Sequence, residues 1–199
     1  MNAELRCEWM SISLRSPLIV AALTPMSNAR IEEHIRFFKR AVEHGAGAVI
    51  LPSINPDQHG SSHTNTEKVE ATIINAGLSK NDHMAFSVLG PTVPNIVSVE
   101  YGLSLANRAI KELHVPVIAS VSNIGSFEQI LRVIQTLDSL GIDGFELNFS
   151  CPNAITRHGD EKDSIPILIE RIRIMTQKPL SLKLTPYQDY SEVLAQLKD

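Results

Sequence analysis

A helical stripe that runs straight into a buried strand constrains this chain more than any other feature. Phe127, Ile130, Leu131, Ile134, Leu137 and Leu140 recur at helical spacing, and Gly141 stops the pattern. Residues 143–147 follow at once as a short apolar run, too brief for a helix and suited to a strand buried on both faces. The same alternation repeats elsewhere. Residues 18–22, 48–51, 115–120 and 180–184 read as further buried strands. Helical spacing fills the intervals: Ile31, Ile35, Phe38 and Val42 after the first run, with Asn28 as cap and Gly45 as stop. A helical stretch through Ala106 and Leu113 precedes residues 115–120, and Ile165, Leu168, Ile172 and Met175 precede residues 180–184. Strand and helix in steady alternation, with no break in composition, predict an α/β fold of one domain, 1–199, around a parallel sheet.

Length refines the expectation. A complete (β/α)8 TIM barrel takes about 250 residues, and about five of its units are legible here, so the expected fold is an incomplete barrel comprising about the first five β/α units. Residues 1–15, where Ile12 and Leu14 alternate with serines, read as a hairpin lid over the barrel's N-terminal end. Residues 53–84, rich in Ser, Thr, Asn and His with little periodicity, read as a loop insertion on the substrate face. Residues 85–89 fit either an additional strand or half of a hairpin within that insertion.

The chemistry concentrates where residues 143–147 give way to their loop. Asn148, Cys151 and Asn153 emerge there, at the edge on which parallel barrels carry their active sites. An Asn side chain offers a donor and an acceptor, so two of them can grip a planar ring whose edge alternates C=O and N–H. A thiolate between them could remove a carbon-bound proton from that ring. The residue types leave a plainer reading equally open, a small apolar Cys beside two turn-forming Asn. His59 and His63 stand four apart, but Gly60, Ser61 and Ser62 do not favour a helix and no third ligand is evident, so no metal site is expected.

Glu146-Leu147-Asn148-Phe149-Ser150-Cys151-Pro152-Asn153 closely resembles the E-L-N-x-S-C-P-N signature of class 1 dihydroorotate dehydrogenases, cytosolic flavin enzymes of pyrimidine biosynthesis. Ser181-Leu182-Lys183-Leu184-Thr185-Pro186 resembles the family's following strand, V-K-L-x-P. Residues 16–21 and 115–120 resemble two further barrel strands. The resemblance implies an FMN-dependent oxidoreductase acting on a CH–CH bond, oxidising dihydroorotate to orotate. Cys151 would be the general base, Asn148 and Asn153 would bind the substrate, and Lys183 would contact the flavin. Ser53, Ala21 and Ala22 stand at positions that the resemblance places beside the cofactor.

The sequence departs from the family as well. Ile50-Leu51-Pro52-Ser53 carries Pro where the family has a Lys near flavin and substrate, and Ala21-Ala22-Leu23 replaces Ala-Ser-Gly. Asn75-Ala76-Gly77-Leu78 keeps only part of the family's substrate loop. Thr24-Pro25-Met26-Ser27 and Leu51-Pro52-Ser53 look like a less characterised group of dihydroorotate-dehydrogenase-like proteins. Other readings therefore remain: a flavoprotein of this type with a different substrate, an inactive cofactor-free remnant, or an aldolase using Lys183 as a Schiff-base nucleophile.

Composition narrows the partners. A formal charge of −4 and no Lys/Arg-rich run weigh against nucleic acid. No apolar run is long enough for a membrane helix, and the two cysteines, Cys7 and Cys151, stand far apart. The expectation is a cytoplasmic protein with a small dihydropyrimidine as substrate, no nucleic acid and no membrane. Its protein partner would be a second copy, as a homo-oligomer, or an electron-transfer subunit.

Overall fold

In the computed structural model, which describes residues 5–22, 30–57, 72–78, 84–89, 96–149, 165–184 and 190–197, the apolar runs form parallel strands. The elements are β1 (Cys7–Trp9), β2 (Ile12–Leu14), β3 (Ile19–Val20), α1 (Ile31–Glu43), β4 (Ala48–Ile50) and β5 (Ser53–Ile54). They continue with β6 (Thr72–Leu78), β7 (Met84–Leu89), β8 (Ile96–Val97), α2 (Val99–Glu112), β9 (Val117–Ser122) and α3 (Phe127–Leu140). The last are β10 (Gly144–Asn148), α4 (Ile165–Met175), β11 (Leu180–Lys183) and α5 (Ser191–Gln196).

The main sheet runs β3-β4-β9-β10-β11, in chain order and parallel throughout. Parallel strands need crossovers, and crossovers of one hand in an order that never reverses put every connecting helix on the same face. The packing agrees. Val49, Val117, Ala119, Val121, Phe145 and Leu147 lie in one apolar cluster with Phe38 of α1, Leu105 of α2, Ile134 of α3 and Leu168 of α4. These are the odd-numbered positions of the central strands. The even-numbered ones, from Ile118 and Gly144 up to Ser122 and Asn148, point to the other face because side chains alternate along a strand.

Local signals set the helix ends. Ser126 caps α3 by accepting from the Gln129 N–H, Gln129 Oε1 accepts in return from the Ser126 N–H, and Gly141 closes the helix at φ 92°. Gly45 stops α1 as expected, at φ 103°. The cap of α1 is a correction: Arg30 occupies it, and Glu33 accepts from the Arg30 N–H at 2.7 Å, whereas Asn28 lies outside the described residues. Glu112 of α2 joins the outer layer to α1 through Lys39 at 2.8 Å and to Arg108 at 2.7 Å. Those bonds from Arg108 and Lys39 hold its carboxyl down to about 2.

At the start of the chain, β1 and β2 form an antiparallel hairpin whose two-residue turn, Met10 and Ser11, has φ of 53° and 60°. Arg15 Nε then donates to Ala46 O at 3.0 Å and Gly47 N–H donates to Leu18 O at 2.7 Å, tying the segment after the hairpin to the N-terminal end of β4. The region expected to be one long loop holds more order than its composition suggests. Pro52 has no N–H for the ladder, and the strand resumes after it as β5, which pairs with β9 and β8. Farther on, β6 and β7 form an antiparallel hairpin with an irregularity between Ile73 and Asn75, so residues 85–89 do belong to a hairpin.

Candidate functional site

Register brings two of the candidate residues, Asn148 and Lys183, together. Asn148, the last residue of β10, pairs with Lys183 of β11 on one side and Ser122 of β9 on the other. Paired residues of parallel strands point to the same face, about 4.8 Å apart, so Ser122, Asn148 and Lys183 form a polar row at the C-terminal end of the sheet. One step below, Ser120, Glu146 and Ser181 form a second row. Below that, Ile118 pairs with Gly144, where a Cβ would come within 3.2 Å of Ile118 Cδ1. The face opposite the described helices thus grades from apolar at its base to polar at its top.

Hydrogen bonds join the two upper rows to Ser53. Ser120 Oγ donates to Glu146 Oε1 at 2.8 Å, Ser53 Oγ and Ser120 Oγ lie 2.7 Å apart, and Asn148 Nδ2 donates to Ser53 Oγ at 2.9 Å. The direction follows from valence. A carboxylate only accepts, so Ser120 spends its one proton on Glu146, and Ser53 must donate to Ser120 and accept from Asn148. The chain Asn148 to Ser53 to Ser120 to Glu146 therefore fixes which end of the Asn148 amide points down. All these residues are buried, Ser120 to 0% exposure and Asn148 to 9%, so the bonds are made away from competing water.

Lys183 is half-buried, and its backbone carbonyl accepts from Phe149 N–H at 2.8 Å, which carries the β10–β11 pairing one residue past Asn148. Among the described residues Lys183 and Glu146 form no ion pair, although their strands are adjacent. Ala21 and Ala22 follow β3 at the same end of the sheet, one exposed and one half-buried, but three strand spacings from Asn148, about 14 Å. Cys151, Asn153, His59 and His63 lie outside the described residues.

Ser120, Glu146 and Ser122 complete the arrangement and were not singled out as site residues in the sequence. Their signal was there: a polar residue at every second position in otherwise apolar strands, as in Ala119-Ser120-Val121-Ser122 and Phe145-Glu146-Leu147-Asn148. A second polar pair sits in the helix layer instead. His34 Nδ1 and Tyr101 Oη are 2.8 Å apart between α1 and α2. Burial lowers the His34 pKa, and burial with Glu32 and Glu33 nearby pushes Tyr101 up to about 12. Neither belongs to the polar face.

Such a face can hold a planar ring by its edge. A hydroxyl, a primary amide and an ammonium in one row supply both donors and acceptors to such an edge. Among the described residues no group of His, Cys, Asp and Glu could hold a metal ion, and no helix is long and apolar enough to cross a membrane.

Comparison with known proteins bears out the family resemblance. The catalytic subunit of dihydroorotate dehydrogenase B (NAD(+)) from Pyrococcus furiosus is 27% identical over 192 residues, covering 92% of this chain and 54% of that protein. The corresponding subunit from Methanosarcina mazei is 30% identical over 183 residues, covering 88% of this chain and 50% of that protein. The chain spans about half the length of the curated relatives it matches. No family model matches it. Among solved structures, a dihydrodipicolinate synthase from Bacillus anthracis aligns at a TM-score of 0.46 and 15% identity, over 83% of this chain and 44% of that one.

Proposed function

Taking the similarity to dihydroorotate dehydrogenase catalytic subunits as premise, we propose that this chain supplies the ring-binding side of an FMN-dependent oxidoreductase that converts dihydroorotate to orotate. The observation that carries the reading is the register match of Asn148 with Lys183 at the C-terminal end of the polar face. In an incomplete TIM barrel this is the catalytic edge.

The residues present fit the pyrimidine end of a flavin, whose edge alternates carbonyl and N–H. When bound, FMN supplies the hydride acceptor. Lys183 would set a positive charge against that end of the ring and so favour its reduced, anionic form. Asn148, with its amide held by Ser53, would orient the substrate ring, assisted by Asn153. Cys151 would take the proton from the carbon beside a ring carbonyl as the neighbouring carbon gives up its hydride. Ser53 serves this site by holding Asn148, with Ala21 and Ala22 toward the far side of the cofactor. The protein would work in the cytoplasm, in pyrimidine biosynthesis, as a homo-oligomer or with an electron-transfer subunit.

Pro52 favours a second reading on one point. Pro52 stands where the resemblance puts a Lys near flavin and substrate, so a charge is lost there and the second reading is a dihydropyrimidine other than dihydroorotate. Anaerobic flavin reduction tests both: the chain is supplied with FMN and either dihydroorotate or dihydrouracil, and flavin absorbance is followed by stopped flow across pH. Cys151→Ser should keep flavin binding and slow reduction strongly, since near neutral pH a serine hydroxyl is essentially un-ionised whereas a thiol of pKa about 8.5 supplies some thiolate as base. Reduction at the parental rate and pH dependence by Cys151→Ser would make Cys151 a packing residue. Reduction by dihydrouracil alone would select the second substrate.

A further inference from the structure

We propose that the Ser122 hydroxyl is an additional hydrogen-bonding group for the ring that Asn148 holds, retained at a cost to the stability of the fold. The inference rests on the reading of Asn148 given above. Ser122 is 1% exposed, and its Oγ has no hydrogen-bond partner among the described residues. Its neighbours on the same face differ in this respect: Ser120 and Ser53 are each bonded twice. A buried hydroxyl without a partner carries the desolvation penalty of a polar group and none of the return, so Ala at this position would fold better. The strand itself shows what serves packing alone, since Ala119 and Val121 fill the opposite face.

Position says what the hydroxyl is for. Ser122 is the last residue of β9 and the register partner of Asn148, so its side chain extends the polar row away from Lys183. A hydroxyl can donate to a carbonyl or accept from an N–H, which suits a cyclic imide, C(=O)–NH–C(=O). Both the flavin ring and the dihydropyrimidine carry such an edge.

The test measures Tm and ligand affinity for the parent chain, Ser122→Ala and Asn148→Ala, using FMN by flavin fluorescence and orotate by calorimetry. Ser122→Ala should raise the ligand-free Tm by about 2–4 °C. It should also weaken one ligand by about 5–10-fold, the value of one neutral hydrogen bond. Loss confined to FMN assigns Ser122 to the flavin, and loss confined to orotate assigns it to the substrate. A fall in Tm would mean that the hydroxyl is satisfied within the fold and would overturn the proposal. Unchanged affinity for both ligands in Ser122→Ala, with weakened binding in Asn148→Ala, would also overturn it while leaving the proposed function standing. If Asn148→Ala binds both ligands as the parent does, or the parent binds neither, the functional reading fails and this inference fails with it.

Discussion

Removing the Ser53 hydroxyl should uncouple Asn148 from the buried carboxylate, and the cost can be worked from the contacts. Ser53→Ala deletes the 2.9 Å bond from Asn148 Nδ2 and the 2.7 Å bond to Ser120 Oγ. Each neutral bond contributes about 1 kcal/mol net, so the change should cost about 2 kcal/mol, and at this chain length roughly 4–8 °C in Tm. Ser120 keeps its bond to Glu146, so the loss should stop short of a full collapse of the network. A double-mutant cycle isolates the Ser53–Asn148 term: Ser53→Ala, Asn148→Ala and the pair are unfolded in denaturant, and the coupling should come to about 1 kcal/mol. Ser53→Ala should also blunt ligand affinity, since the Asn148 amide loses the contact that fixes its orientation. A coupling energy indistinguishable from zero would refute the chain of donation from Asn148 to Glu146.

Two further outcomes follow from the scaffold. At Gly47 a Cβ would sit 2.1 Å from the Ser16 carbonyl oxygen, so Gly47→Ala must push the bend before β3 away. The overpacking and the lost Gly47 N–H bond to Leu18 should together cost about 3 kcal/mol, read by denaturant unfolding. His34, whose pKa burial lowers, binds a proton more readily unfolded than folded. Its contribution is therefore whole above its unfolded pKa of about 6.5 and is lost as pH falls through the lower folded value. His34→Leu should flatten that acid limb in Tm measured against pH, whereas an unchanged slope would assign it to other groups.

The sequence alone was enough to lay out the parallel α/β order, because periods of 3.6 and 2 are local properties of the chain. The stripe from Phe127 to Leu140 became α3 with its Ser126 cap and Gly141 stop, and each apolar run became a strand within a residue or two of its expected bounds. The signature around Asn148 and the Lys183 strand were legible through their resemblance to dihydroorotate dehydrogenases, and the similarity to catalytic subunits of that enzyme bears out the resemblance. Register, unlike the chain-order succession of strands, was decided only in three dimensions. Nothing in the sequence sets Asn148 between Ser122 and Lys183, since partners 26 and 35 positions away are chosen by how the strands slide against the helices they bury. The link from Asn148 through Ser53 and Ser120 to Glu146 likewise spans strands 95 and 67 residues apart in sequence. Buried hydrogen bonds of that kind depend on tertiary distance, which local periodicity does not encode.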